Sequence, residues 1–291
     1  MPRHVRFGTS SWTFAGWQGL VYRRAYSSAS QFRRESLAEY ASFPLFTTVG
    51  IDRGHYAPLL QHELANYARQ LPVGFPCVSK VWQELTSFTH PDHARQGDRR
   101  GQENARFLDP RTFAEIVAPP YRSAFAPHAG PFVLELPSTR GALAAAAFEH
   151  RLERFLGDAP HDCRYAVELR EPRLLTRKYV DILRAHGAAH VFNFWAWMPS
   201  LSEQMRMVGA PAAEFLVCRL LLPPRARYGE RKRALLPFDR LRDPQPAMRR
   251  EVHELICSAE RRETYVLVNN KAEGSAPLTI RALCEQLAAS R

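Results

Sequence analysis

The sequence predicts an α/β protein of the (β/α)8 TIM-barrel type, regular or not in detail, with long βα loops after strands 3 and 7. Three observations predict it. Eight short runs of β-branched and aromatic residues recur along the 291 residues, and helical patterns separate most of them. Several runs are apolar on successive residues, as strands are when helices cover both faces. The length lies a little above the roughly 250 residues usual for such barrels. An open doubly wound sheet is the alternative, but no G-x-G-x-x-G follows the first run and no P-loop occurs anywhere.

In chain order the strand runs are VRFGTS (from Val5), LFTTVGI (from Leu45), FPCVSKVW (from Phe75), PFVLELP (from Pro131), RYAVELR (from Arg164), AHVFNFW (from Ala189), EFLVCRLLL (from Glu214) and TYVLVNN (from Thr264). Helical spacing joins Leu59, Leu60, Leu64, Tyr67, Ala68 and Leu71 after the second run. It joins Leu143, Phe148, Leu152, Phe155 and Leu156 after the fourth, and Tyr179, Ile182, Leu183 and Ala185 after the fifth. Met248, Val252, Leu255 and Ile256 follow the seventh, and Ile280, Leu283 and Leu287 follow Pro277, a favoured helix start. Two connections, residues 83 to about 110 and 223 to about 246, are too long for turns, and each is read as preceding a helix. Both follow strands, and in a parallel barrel such loops emerge at the C-terminal face, where active sites sit. No Pro/Ser-rich linker divides the chain, so one domain over residues 1–291 is expected.

Composition is that of an ordinary globular chain, 45% hydrophobic and 24% charged, which excludes disorder and collagen-like structure. Forty Lys and Arg against 29 Asp and Glu give a net charge of +11. That favours anionic partners, a small phosphorylated molecule or nucleic acid; a solvated Arg-rich surface explains it equally well. The five cysteines are scattered with no C-x-x-C pair, which argues against a disulfide framework or a Cys-rich zinc site. No signal peptide precedes Val5, and no apolar run approaches the roughly 18 residues of a membrane span. A cytoplasmic protein without a membrane partner is expected; its oligomeric state is not legible.

Several motifs resemble the YecE-like family of unknown function. They are FGTSSWTFAGWQG near the start, VSKVWQELT, GPFVLELP, VELRE, and YVLVNNKAEGSAPLTIRAL at the end. The most specific are G-T-S-x-W near the start and N-N-x-A-E-G-x-A-P near the end, and the match runs in order over nearly the whole chain. The resemblance implies a TIM-type barrel with a polar cleft at its C-terminal end and no settled reaction. There are departures. Where the family's second strand carries Glu-x-Asn, this chain has Gly50-Ile51-Asp52, and where the seventh ends Arg-Leu-His-Gly it has Arg219-Leu220-Leu221-Leu222. If that Glu or His is essential to a family reaction, this member is altered or inactive.

Period-two alternation places Glu168 and Arg170 on one face of the fifth strand. Glu135 ends the fourth, Lys80 the third and Asp52 the second; Arg219 lies in the seventh, and Asn269, Asn270 and Lys271 close the eighth. Charges inside greasy strands are costly unless paired or solvated in a cleft, so their convergence suggests a polar site; an internal ion pair between Glu168 and Arg170 is the plainer alternative. Asp52, Glu135 and Glu168 are the candidates for acid–base work or for holding a divalent metal. Lys80, Arg170, Arg219, Asn269 and Asn270 are the candidates for holding substrate. Ser10 and Trp12 offer a hydroxyl and an apolar wall, or else a helix cap and a core indole. Tyr228 lies among the arginines of the second long loop (Arg225, Arg227, Arg231, Arg233, Arg240, Arg242), which would steer phosphate toward the cleft. His90-Pro91-Asp92-His93 holds metal-ligating types, but without zincin spacing it reads as an exposed loop.

The leading expectation is therefore an enzyme acting on a phosphorylated or nucleic-acid substrate. Glycoside hydrolysis by Glu135 and Glu168 ranks below it, because the cleft reads as cationic and poor in exposed aromatics. A non-catalytic anion or nucleic-acid binder is the third reading.

Overall fold

The computed structural model describes residues 2–90 and 98–289. Among these residues, eight parallel strands stand in the order β1-β8-β7-β6-β5-β4-β3-β2. They are β1 (Val5–Thr9), β2 (Val49–Ile51), β3 (Cys77–Lys80), β4 (Ala129–Leu136), β5 (Tyr165–Leu169), β6 (Ala189–Phe194), β7 (Phe215–Leu220) and β8 (Glu263–Val268). Sequence neighbours are spatial neighbours throughout, as in a barrel, and the ring is nearly closed where β1 meets β2.

That seam is held without a strand ladder. The Thr47 N–H donates to Phe7 O at 2.8 Å. The buried Tyr40 hydroxyl accepts from the Thr9 N–H at 2.9 Å and donates to Thr48 O at 3.2 Å, so one phenol bridges both strands. The backbones pass so close that a Cβ on Gly8 would lie 2.0 Å from Thr48 O, and one on Gly50 would lie 2.7 Å from Ser10 O. Hence no side chain, glutamate included, fits at position 50 while the seam keeps this geometry.

The helices are α1 (Ala29–Ala41), α2 (Gln61–Ala68), α3 (Gln83–Thr86), α4 (Pro110–Thr112), α5 (Ala145–Asp158), α6 (Arg177–Ala185), α7 (Leu201–Val208), α8 (Tyr228–Leu235), α9 (Pro246–Ser258) and α10 (Ala276–Ala289). α5 buries Phe148, Leu152, Phe155 and Leu156, a stripe at helical spacing. Its periodicity is what makes it legible in sequence. α1 escapes a periodicity search because it buries only Ser36, Leu37 and Tyr40. α7 is short and is fixed at its start by reciprocal hydrogen bonds between Ser200 and Glu203. α8 interrupts what reads as loop. The helix expected after residue 110 is only the turn α4, which runs on as a π-helical turn (Phe113–Val117). There Phe113 meets the rings of Phe132, Phe155 and Tyr165 edge-on, so aromatic packing fills the place of a full helix.

The main core lies between sheet and helices. A second apolar cluster, including Val78, Val133, Ala166, Val191, Val217 and Leu267, fills the middle of the barrel. Below it Glu263 accepts from Arg6 (2.6 Å) and Arg164 (2.8 Å), and Arg164 also donates to the Tyr265 hydroxyl (3.0 Å). Among the described residues the middle of the barrel is therefore filled, and the charged upper strand ends lie above this apolar layer. None of the described helices is long and apolar enough to cross a membrane.

Candidate functional site

Alternation along the strands carries apolar inner positions upward into charged ones: Val78 to Lys80, Val133 to Glu135, Ala166 to Glu168, and Val217 to Arg219. Register sets Glu135 directly beside Glu168. Two adjacent carboxylates inside a barrel would repel, and Arg219 resolves this. Its Nη1 donates to Glu135 at 2.8 Å and to Glu168, and its Nη2 lies 3.4 Å from Asp52. Glu135 Oε2 also accepts from Arg170 Nη2 at 2.8 Å and contacts Lys80 Nζ at 3.0 Å. Arg170 Nη2 lies 2.7 Å from Glu168 Oε1 as well. Three carboxylates and three cations, taken from five strand ends, thus form one lattice.

The electrostatics follow. Burial alone would raise the Glu135 carboxyl, but Arg170, Lys80 and Arg219 outweigh it and hold it well below the usual carboxylate range. Burial likewise opposes the charge on Arg219, and Glu168, Asp52 and Glu135 more than offset that. A glycosidase needs one carboxyl protonated near its working pH, and Glu135 is held in the opposite state. Nor do these residues suit a divalent cation, because Arg219 occupies the space among the carboxylates where such an ion would sit. Among the described residues no group of three His, Cys, Asp or Glu is placed to hold a metal. His90 is buried, 3.9 Å from Glu84; its sequence neighbours Asp92 and His93 lie outside the described residues.

Above the lattice opens a cleft of about 770 Å³. Its walls include Trp195 and Trp197 from the end of β6, Tyr56 from the turn after β2, and Tyr228 at the start of α8. Trp197, Tyr56 and Tyr228 are exposed. The Arg170 guanidinium lies 3.8 Å from the centroid of Trp195. The expectation of a cleft poor in aromatics is therefore corrected. The signal was the W-x-W closing the sixth strand run, which matters only because β6 delivers it to the cleft mouth.

Two cations reach this cleft without a carboxylate contact among the described residues, Arg140 and Lys271. The Lys271 ammonium donates to Asn269 Oδ1 at 2.8 Å and sits 4.5 Å from the Tyr228 ring centroid. Burial pulls its pKa down to about 8, with Lys232 and Arg170 assisting and Asp52 opposing. His55, in the turn after Asp52, is pulled down to about 4 by burial and by Lys80, against Glu135 and Asp52. It is neutral at pH 7, and its Nδ1 is buried without a partner.

Other sequence candidates lie elsewhere. Asn270 Oδ1 accepts from Trp17 Nε1 (3.1 Å) and from the Ala276 N–H (2.8 Å), so it ties the start of α10 to the core. Ser10 is buried in the β1–β2 seam. Trp12 packs edge-on against Tyr67 at 5.1 Å and borders a different cleft. The arginines after β7 do not line the main cleft. Arg231 holds Lys271 O and Ala272 O at 2.9 and 2.7 Å, and Arg240 and Arg242 pair with Asp239. That loop contributes Tyr228 instead.

The family described as "Protein of unknown function DUF72" matches residues 6–291. The chain belongs to the DUF72 family. Solved structures agree in fold. A DUF72 family protein from Enterococcus faecalis superposes with a TM-score of 0.64 at 16% identity, over 98% of this chain and 95% of its own. One from Thermotoga maritima gives 0.64 at 19% identity, over 98% and 99%. SacUVDE gives 0.50 at 9% identity, over 97% and 98%. At such identities the likeness concerns the fold alone. No curated protein matches the chain. Within the DUF72 fold, the close seam explains why Gly50 stands at its position, and Asp52 two residues later supplies the carboxylate that reaches Arg219.

Proposed function

We propose that the cleft above the ion lattice is the active site of an enzyme acting on a phosphate-bearing nucleotide unit. One observation carries this reading: Trp195, Trp197, Tyr56 and Tyr228 rim a cleft in which Lys271 and Arg140 have no carboxylate contact. Each stacked base gains about 1–3 kcal/mol on an aromatic face, whatever its identity. The cleft holds five cations, Lys80, Arg140, Arg170, Arg219 and Lys271, against three carboxylates once the buried Glu168 is included. That excess suits a phosphate better than a neutral sugar.

Asp52, Glu135 and Glu168 then act as a rigid electrostatic floor that holds Arg170 and Arg219 in place. Lys271 and Arg140 take the phosphate oxygens. His55 is the group able to accept a proton. A phosphate dianion beside it would raise its pKa toward neutrality, since opposite charge favours the imidazolium, so ligand binding itself primes the imidazole. This residue set fits phosphate-ester chemistry, with cations for the charge and one neutral base for the proton.

A non-catalytic binder is the second reading, favoured by the internal neutralisation of all three carboxylates. Calorimetric titration with thymidine 5′-phosphate, paired with turnover of a chromogenic thymidine phosphodiester, separates the two. The enzyme reading expects His55→Ala to keep binding and lose turnover. Binding without any turnover by the unaltered protein leaves the binder, and binding unaffected by Trp197→Ala and Lys271→Ala removes the cleft from both.

A further inference from the structure

A second cleft, of about 440 Å³, opens between α1 and α2 and shares Asp52 with the first. Its apolar wall is the Trp12–Tyr67 edge-on pair, and its rim carries Arg33, Arg34, Arg53 and His62. We infer that this second cleft is a subsite for the adjoining nucleotide of a single-stranded nucleic acid whose reacting unit lies in the first, so that the substrate is a strand and not a free mononucleotide. The inference rests on the nucleotide reading of the first cleft.

The charges are disposed for this. Among the described residues Arg33 forms no ion pair. Arg34 and Arg53 meet Glu35 and Glu63 only at 3.8 Å, at half-exposed positions where such pairs hold weakly. The acids bordering this cleft are otherwise engaged. Glu63 Oε2 accepts from the Leu60 N–H at 2.9 Å to cap α2, and Asp52 Oδ1 is turned toward Arg219. Arg33 and the weakly held Arg34 and Arg53 can therefore meet phosphate oxygens along the rim. Asp52, the shared wall, repels a phosphate placed on the boundary and so favours one on either side of it. The partly buried Tyr67 gives a second base an apolar face, and the buried Trp12 packs edge-on behind it and holds it in place. A basic groove with interleaved aromatic walls is how sequence-tolerant single-strand binding is built.

The test compares thymidine 5′-phosphate with oligothymidylates of increasing length by fluorescence anisotropy over a salt series. It uses the unaltered protein, Trp197→Ala, and the pair Arg33→Ala with Arg53→Ala, whose exposed and half-exposed positions leave folding intact by circular dichroism. Affinity should rise roughly tenfold from the mononucleotide to a short oligomer, because a second nucleotide adds both a phosphate contact and a stacking face. The arginine pair should abolish that gain, leave mononucleotide affinity unchanged, and flatten the log–log salt slope by about 0.7, the value of one single-strand phosphate contact. If mononucleotide binds and Trp197→Ala weakens it, yet length adds nothing, the subsite is refuted and the first cleft stands. A length gain that survives the arginine pair refutes the assignment to this groove. If no nucleotide binds, the reading of the first cleft fails and the subsite with it.

Discussion

Replacing Arg219 with methionine tests whether the ion lattice is a structural floor. Arg219 is 2% exposed, and it holds Glu168, which is 0% exposed, together with Glu135. At an effective dielectric near 20, one charge pair about 4 Å apart is worth about 4 kcal/mol. Two such pairs exceed the several kcal/mol needed to desolvate the guanidinium, and removing one partner of a buried set leaves uncompensated charge at a cost of about 3–5 kcal/mol. With a urea slope of about 3 kcal/mol/M, the unfolding midpoint should fall by about 1–1.7 M. The pH dependence carries a sign. In the unaltered protein Glu135 is depressed, so its contribution is present above its unfolded value and is lost as pH falls through the folded one. Without Arg219, less charge opposes the burial of Glu135, so its carboxyl lies higher than in the unaltered protein and its cost is relieved as it protonates. The deficit should therefore be widest near pH 7 and narrow toward pH 5, and Glu168→Gln in the same chain should recover part of it. Urea melts followed by tryptophan fluorescence at both pH values measure this. A deficit below about 1 kcal/mol, the scale of a solvated surface pair, or one that does not narrow with acid, refutes the lattice as described.

Three further outcomes are expected. Trp197→Ala should weaken thymidine 5′-phosphate binding by about 1–3 kcal/mol with the melting temperature unchanged, since the indole is exposed; calorimetry and a thermal melt check both. Binding of that ligand should weaken as pH rises through about 8, where Lys271 loses its charge, and Lys271→Arg should move the loss to higher pH. Tyr40→Phe should destabilise the fold by about 1–3 kcal/mol, because the buried Thr9 N–H loses its acceptor at the seam; urea denaturation reads it directly.

Much of the architecture was legible because strands and helices announce themselves locally. The apolar runs around Val133, Val167 and Val217 and the stripe of α5 each have a period. α1 did not read as a helix because its buried stripe is thin, and α8 did not because Tyr228-Gly229-Glu230-Arg231 is polar throughout. At the site, Asp52, Lys80, Glu135, Glu168, Arg170 and Arg219 were found as charges inside greasy segments, and they meet at one end of the barrel. Nothing local marks Trp195, Trp197 and His55, because a core aromatic and one at a cleft mouth look alike in sequence. Asn270 and Ser10 read as site residues in the sequence, and the structure buries both outside the lining of the main cleft.

By itself the sequence determined the order of strands and helices, the DUF72 resemblance and the set of charges at the strand ends, since each depends on residue type and spacing along the chain. Only the tertiary structure decided which charges cancel. Arg219 pairs with Glu135 and Glu168, 84 and 51 residues away in the chain, while Lys271 and Arg140 have no carboxylate contact among the described residues. Coulomb energies and desolvation depend on distance and burial, and the closure of the ring sets both.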